Sequence, residues 1–392
     1  MNASDMRRQI PELGYREYWY PALRDGKVGK KPVGLRIMGE DIVFFRGGSG
    51  EVAALADACP HRAGSLMHGD IHYLGTIACP YHGWVFNAEG ECLAVLSEGP
   101  ASPIPDIARA RKYPTRTLRG LVFIWMGEGK PAPIEEDVPP EFFAGEDTWV
   151  YSVERHWPLN WRVALENSLD SHVMYAHRTS VLMQREPFVQ LGPIGNRVRI
   201  VNERACIGYL PEPPTTGREY YPKLKDWWPK RDFRNLWLWL FKWRKHWSEF
   251  PPFNNDAEWD MHTVIDGRRV RSGGHHLPSM FRFDFGTHMY TRCCVPIDAG
   301  NTRVIYYHAA RRKTALRRLL HRVYFHLLHN WLMHENFSTQ DYRIMAPQRY
   351  DLPEMLSATD SQIVGWRRLL LRARGGPGRR HGTERPVEAR AA

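Results

Sequence analysis

The feature that most constrains this chain is a pair of short loops, each offering one cysteine and one histidine. Cys59-Pro60-His61 is followed, after seventeen residues, by Cys79-Pro80-Tyr81-His82. Such loops share a centre only if the chain folds back between them, as in a small module of short strands. The ligand set admits two readings. Two thiolates can hold one iron of a [2Fe–2S] cluster while two neutral imidazoles hold the other and raise its potential. The same four groups suit a structural zinc ion. Zinc fingers, however, usually place two cysteines in one loop and two histidines in the other, whereas each loop here is mixed. Cys92, Cys206, Cys293 and Cys294 match no ligand spacing and read as core or surface thiols.

The flanking sequence supplies the strands. Gly47-Gly48-Ser49-Gly50 reads as a hairpin turn between Ile42–Phe45 and Val52–Leu55. Further short β segments fall at Thr76–Cys79 and Gly120–Trp125, so residues 1–150 read as an all-β module. Pro131, Pro133, Pro139 and Pro140 form a connection. Beyond it, helical pattern covers Trp161 to about His177, Ala315–His334 and Asp360–Ala373. Strand candidates lie near Arg197–Asn202, Met261–Ile265, Arg292–Pro296 and Thr302–His308. Residues 151–373 therefore read as α+β, an antiparallel sheet with helices added. Residues 374–392, rich in Arg, Gly and Pro, read as a disordered basic tail.

Composition excludes some classes. Six cysteines in 392 residues do not make a disulfide framework. The apolar run Leu236–Phe241 is far too short to span a bilayer. No N-terminal signal peptide is visible, and the expectation is a cytoplasmic protein. The formal charge of +11 favours an acidic partner, such as an acidic electron carrier or an anionic membrane surface.

A second site is suggested by His172 and His177. On a regular helix, five residues turn through about 500°, which leaves the pair about 140° apart. A bulge or helix end between them could bring both imidazoles to one metal. Two histidines and one carboxylate with open positions make the facial triad of non-haem Fe(II) oxygenases.

Taken together, these motifs resemble the catalytic subunit of Rieske non-haem iron oxygenases, the ring-hydroxylating oxygenases, from about Tyr15 to about Leu371. Cys59-Pro60-His61-Arg62-Ala63-Gly64 and Cys79-Pro80-Tyr81-His82-Gly83-Trp84 are similar to the Rieske loops. Asn160-Trp161, Glu166-Asn167, Asp170, His172 and His177 are similar to the iron-binding helix. Asp298 fits a recurring strand pattern. Glu335-Asn336-Phe337-Ser338-Thr339-Gln340-Asp341 resembles the late helix that carries the third ligand. One departure is that only Ser171 separates Asp170 from His172, where the family has two residues.

The resemblance implies an N-terminal Rieske domain and a C-terminal helix-grip (START-like) catalytic domain. It implies one [2Fe–2S] cluster on Cys59, His61, Cys79 and His82, and one Fe(II) on His172, His177 and Asp341, with Asp351 and Asp360 as alternative carboxylates. It also implies a head-to-tail homotrimer in which Asp170 bridges His82 of the partner subunit and an iron-ligating histidine of its own. A ferredoxin or flavin reductase would supply electrons, so that NAD(P)H acts only indirectly. O2 would be the cosubstrate, inserted into a small hydrophobic substrate. A Rieske electron carrier without its own chemistry is the alternative function. A zinc-stabilised binding module is a third.

Residues 223–250 hold six tryptophans among lysines and arginines. That composition suits an interfacial membrane surface. It pairs with the basic, partly amphipathic stretch around Arg311–His334 and suggests a sterol- or terpenoid-like substrate. The competing reading is a trimer interface or pocket lid. Nucleic acid is not expected as a partner.

Overall fold

The structure is a computed structural model. It describes residues 3–168, 176–177, 180, 190–191, 197–201, 203–209, 215–216, 262–265, 268–271, 273–284, 288–311, 314–357 and 360–377. Asp170, His172 and the tryptophan-rich segment 223–250 lie outside the described residues.

The expected hairpin is present. Glu40–Arg46 pairs antiparallel with Val52–Ala56, with Phe44 opposite Ala54. The run Ile-Val-Phe-Phe is apolar on both faces for a physical reason. Ile42 and Phe44 point into the main core, while Val43 and Phe45 point into a smaller one with Cys59, Cys79 and Trp84. The two cysteines are thus rooted in a hydrophobic cluster of their own. Val33–Ile37 and Lys112–Tyr113 complete a four-stranded sheet. A second sheet joins Trp19–Arg24, Leu121–Trp125 and Thr115–Leu118. A third joins Thr76–Ala78, Trp84–Asn87 and Cys92–Val95.

The second half is built on a seven-stranded antiparallel sheet. Its order is Thr148–Trp157, Asn301–Arg311, Met289–Asp298, Met280–Asp284, Gly273–His276, Ala205–Tyr209, Arg197–Val201. The long helix that follows is α-helical over Ala315–Tyr324 and π-helical over Phe325–His329 and Trp331–Phe337. It returns to α over Ser338–Met345. A last helix spans Ser361–Leu371. The expected α+β class, with an all-β first part, is what the structure shows.

Direct bonds join the halves. Met38 and Gly39 donate their backbone N–H groups to Pro296 and Ile297 carbonyls, each at 2.8 Å. Glu141, in the proline-rich connection, accepts from Arg282 of the large sheet at 2.8 and 3.1 Å, both side chains fully buried. Removing one partner of such a pair strands a buried charge at a cost of about 3–5 kcal/mol.

The tail reading needs correction at its start. Arg374 is packed in the fold: its backbone N–H donates to Tyr18 Oη at 2.9 Å. Its guanidinium lies over the Tyr18 ring and meets Asp137. A basic residue in a Gly-rich stretch is held here because a buried carboxylate needs a cation. Residues 378–392 lie outside the described residues. Among the described residues, no helix is long and apolar enough to cross a membrane.

Candidate functional site

The two Cys/His loops are near copies of each other. Cys59 N–H donates to Gly64 O at 2.9 Å, and Ala63 N–H donates to Cys59 O at 2.8 Å. Twenty residues on, Cys79 N–H donates to Trp84 O at 2.8 Å, and Gly83 N–H donates to Cys79 O at 3.0 Å. Each turn closes through a left-handed residue, Ala63 at φ 55° and Gly83 at φ 66°. That conformation costs an L residue about 1–2 kcal/mol, so Gly83 is the expected occupant and Ala63 the strained one.

The loops sort their ligands by depth. Cys59 and Cys79 are buried, whereas His61 is exposed and His82 partly so. The two imidazoles lie 4.6 Å apart by ring centroid, and His61 stacks on Trp84 at 4.9 Å. Burial, reinforced by the Cys79 thiol alongside, pushes the Cys59 thiol up to about 11. A Cβ on Gly64 would come within 3.2 Å of Cys79 Sγ, so the loops interlock around the sulfurs.

These residues fit a two-iron cluster better than one zinc ion. His82 Nδ1 is buried with no hydrogen-bond partner among the described residues. Among the described residues, no three of these four side chains bring ligand atoms within 4.8 Å of one another. A single tetrahedral zinc would need all four converging on one point. Buried sulfurs and outward imidazoles instead match the two-plus-two division of a Rieske centre.

The second set is partly assembled. His177 Nε2 lies 2.9 Å from Asp341 Oδ1, and both side chains are buried. His177 Nδ1 meets Gln340 Oε1 at 3.2 Å, and the ring stacks on Phe337 at 3.6 Å. The other Asp341 oxygen lies 3.6 Å from Arg292, a fully buried cation that also donates to Ala164 O at 2.9 Å and to Ser168 Oγ. An imidazole and a carboxylate meeting in a buried space suit a divalent iron. The third expected ligand, His172, lies outside the described residues, as does Asp170.

Other residues named from sequence have structural roles. Asn160 caps the helix Trp161–Glu166 through Arg162 N–H at 3.0 Å. Glu166 pairs with Arg367 at 2.7 Å. Asp298 closes a hairpin by accepting from Gly300 N–H at 2.8 Å. Asp351 pairs with Arg349 at 2.7 Å on the surface, and Asp360 accepts from Ser357 N–H at 2.6 Å. Neither takes the place of Asp341 beside His177. Gln340 and Arg292 went unnoticed in the sequence. The signal for Arg292 was a lone cation in the apolar strand run Met289–Val295, where a charge needs a buried partner.

Comparison with known proteins agrees with this geometry. Residues 18–111 match the Rieske [2Fe-2S] domain, and residues 125–205 match the homotrimeric ring hydroxylase family. The chain thus resembles the Rieske oxygenases over residues 18–205. The chain is 32% identical over 175 residues to the terminal oxygenase component of carbazole 1,9a-dioxygenase from Sphingomonas sp, covering 44% of this chain and 46% of that one. It is 35% identical over 165 residues to the 3-chlorobenzoate-3,4-dioxygenase oxygenase subunit of Comamonas testosteroni, covering 41% and 38%. The match thus spans less than half the length of these curated relatives. Among solved structures, the terminal oxygenase of carbazole 1,9a-dioxygenase from Nocardioides aromaticivorans IC177 superposes with a TM-score of 0.73 at 23% identity. That superposition covers 94% of this chain and 97% of the other, and it shows a shared fold.

Proposed function

We propose that this chain is the terminal oxygenase of a multicomponent Rieske system, hydroxylating a hydrophobic, polycyclic substrate with O2. The observation that carries the reading is the 2.9 Å meeting of His177 with Asp341 in a buried space, in a chain that also holds the two Cys/His loops. A Rieske electron carrier needs the loops alone. When bound, the cluster supplies electrons and the mononuclear iron supplies the chemistry of oxygen activation.

The chain's own residues hold and orient. Cys59 and Cys79 would hold the inner iron of the cluster, His61 and His82 the outer one. His177 and Asp341, with His172, would hold the single iron. Gln340 fixes the ring of His177 through its second nitrogen, and Arg292 holds the other oxygen of Asp341. Asp170 remains the proposed bridge to His82 of the partner subunit, on the strength of the sequence resemblance.

The remaining readings are part of the same proposal. The division into a Rieske domain up to residue 150 and a catalytic domain beyond it is supported by the large sheet, whose first strand begins at Thr148. A homotrimer is supported by the family matched over 125–205. A ferredoxin donor is supported by the similar fold of the carbazole 1,9a-dioxygenase oxygenase solved in complex with its ferredoxin. A polycyclic aromatic substrate is supported by carbazole in the names of relatives. A cytoplasmic location rests on the sequence reading. Peripheral membrane contact is supported by Leu316, Leu319, Leu320 and Leu327, exposed on a helix with Arg317 and Arg322. Failure of the pure protein to float with anionic liposomes would remove the membrane contact.

The test of the main reading is anaerobic purification, followed by assay of acid-labile sulfide and iron. A single-turnover reaction of the reduced protein with O2 and a polycyclic aromatic then follows. Oxygenated product is expected. Oxidation of the cluster without product, for every substrate tried, would favour the carrier.

A further inference from the structure

In the same half of the chain as His177 and Asp341, a second group of histidines converges. His288 precedes the strand Met289–Asp298, His308 lies in the neighbouring strand, and His329 lies on the long helix. All three are buried, and one ring nitrogen from each lies within 4.8 Å of the others. Among the described residues this is the one such group of metal-ligating side chains. We propose that His288, His308 and His329 form a binding site for a divalent transition ion of the zinc class, distinct from the iron site at His177 and Asp341.

The distances suit that ion. Nitrogens set about 2.0–2.1 Å from zinc at tetrahedral angles lie about 3.3–3.4 Å apart. His308 Nδ1 and His329 Nε2 are 3.3 Å apart. The rings are steeply inclined, at 87° for His308 with His329 and 88° for His288 with His329. His308 also has the support a ligating imidazole needs. Its other nitrogen, Nε2, meets His334 Nε2 at 2.9 Å. A proton on His308 Nε2, donated to His334, leaves the Nδ1 lone pair directed at the shared space.

The π winding makes this possible. A π turn closes on the fifth residue, so His329 and His334 come nearly above one another and both reach His308. An α-helix would set them about 140° apart. An imidazole-only donor set in an aromatic box of Tyr151, Tyr290 and Phe325 favours zinc, copper or nickel over oxygen-loving ions. The ion would pin the long helix to the sheet, on the helix that also presents Asp341.

Zinc(II) titration of the purified whole chain tests this through a metal edge that iron does not share. After desalting, about one zinc per chain should remain, and zinc X-ray absorption should show a nitrogen shell with imidazole outer scattering at about 2.0–2.1 Å. His288→Ala or His329→Ala should lower retained zinc at least tenfold while leaving the [2Fe–2S] absorbance unchanged. Asp341→Ala should leave zinc unchanged. The proposal is overturned if the wild-type chain retains no zinc, leaving a hydrogen-bonded histidine chain only. It is equally overturned if the retained zinc depends on Asp341. The wild-type absorption spectrum decides the matter even where a variant does not fold, and iron and sulfide assays report separately on the oxygenase reading.

Discussion

Asp341 Oδ1 stands 2.9 Å from His177 Nε2, although the two residues lie far apart in the chain. Two lone-pair donors this close and this buried repel unless a proton or a cation sits between them. His177→Ala and Asp341→Ala should therefore each abolish turnover and strip the mononuclear iron, while the Rieske absorbance stays intact. Iron assay of each variant against labile sulfide checks this, and loss of the cluster spectrum would mean the two sites are misassigned. His172→Ala should behave likewise.

Gln340 holds the far side of the same imidazole at 3.2 Å. Partners of this kind set ring orientation and are worth about 10–100-fold in metal affinity. Gln340→Leu should weaken iron retention in that range, and Gln340→Glu should restore most of it. Iron dissociation against a chelator is the measurement, and equal retention by wild type and Gln340→Leu would refute the role.

Arg292 is a fully buried cation facing Asp341 at 3.6 Å. Arg292→Met leaves Asp341 without that counter-charge and frees the Ala164 carbonyl. The expected loss of stability is about 3–5 kcal/mol. Denaturant unfolding followed by tryptophan fluorescence would show it, and a change below about 1 kcal/mol would mean the pair is not coupled.

Asp137 gives a pH dependence. Burial, outweighing the help of Arg374 and the Trp19 N–H, raises its carboxyl to about 6. Between the unfolded value near 3.8 and that folded value, the native state keeps a proton that the unfolded chain has lost. This contribution to stability is therefore complete below pH 4 and is lost as pH rises towards 6. Asp137→Asn should flatten that decline in a plot of melting temperature against pH, and an unchanged slope would assign the decline elsewhere.

The twin cluster loops allow a matched pair of substitutions. Ala63→Gly should raise the thermal stability of the cluster domain by up to about 1 kcal/mol, by relieving a left-handed alanine. Gly83→Ala should lower it, since its Cβ would come within 2.9 Å of the Leu96 side chain. Bleaching of the cluster absorbance on heating reads both, and shifts of the same sign would break the correspondence between the loops.

The proposed cluster ligands were legible in the sequence because their chemistry is local: each Cys/His pair sits within four residues. The hairpin Ile42–Phe45 was legible from its turn, though not the reason both of its faces are apolar, which needs the two cores. Thr148–Trp157 escaped notice because it is an edge strand with Ser152 and Glu154 interrupting its apolar residues. Asp341 was reached through family resemblance, whereas Gln340 and Arg292 acquire meaning only once two distant segments meet. His288, His308 and His329 come from three separate elements and leave no periodic trace. The late helix reads as ending near His334 because its pattern breaks there. The structure carries it on to Met345 through π turns, which shift the phase of the apolar face.

That phase shift makes the length of the helix as consequential as its side chains. Were one of these wide turns to rewind as α while keeping its extra residue, everything downstream would rotate by about 100°. Asp341 would swing away from His177, with its carboxyl group chemically intact yet pointing elsewhere. The position of the acid is therefore set by how the stretch winds, because the extra residue in each wide turn acts as a spacer that sets where the acid arrives.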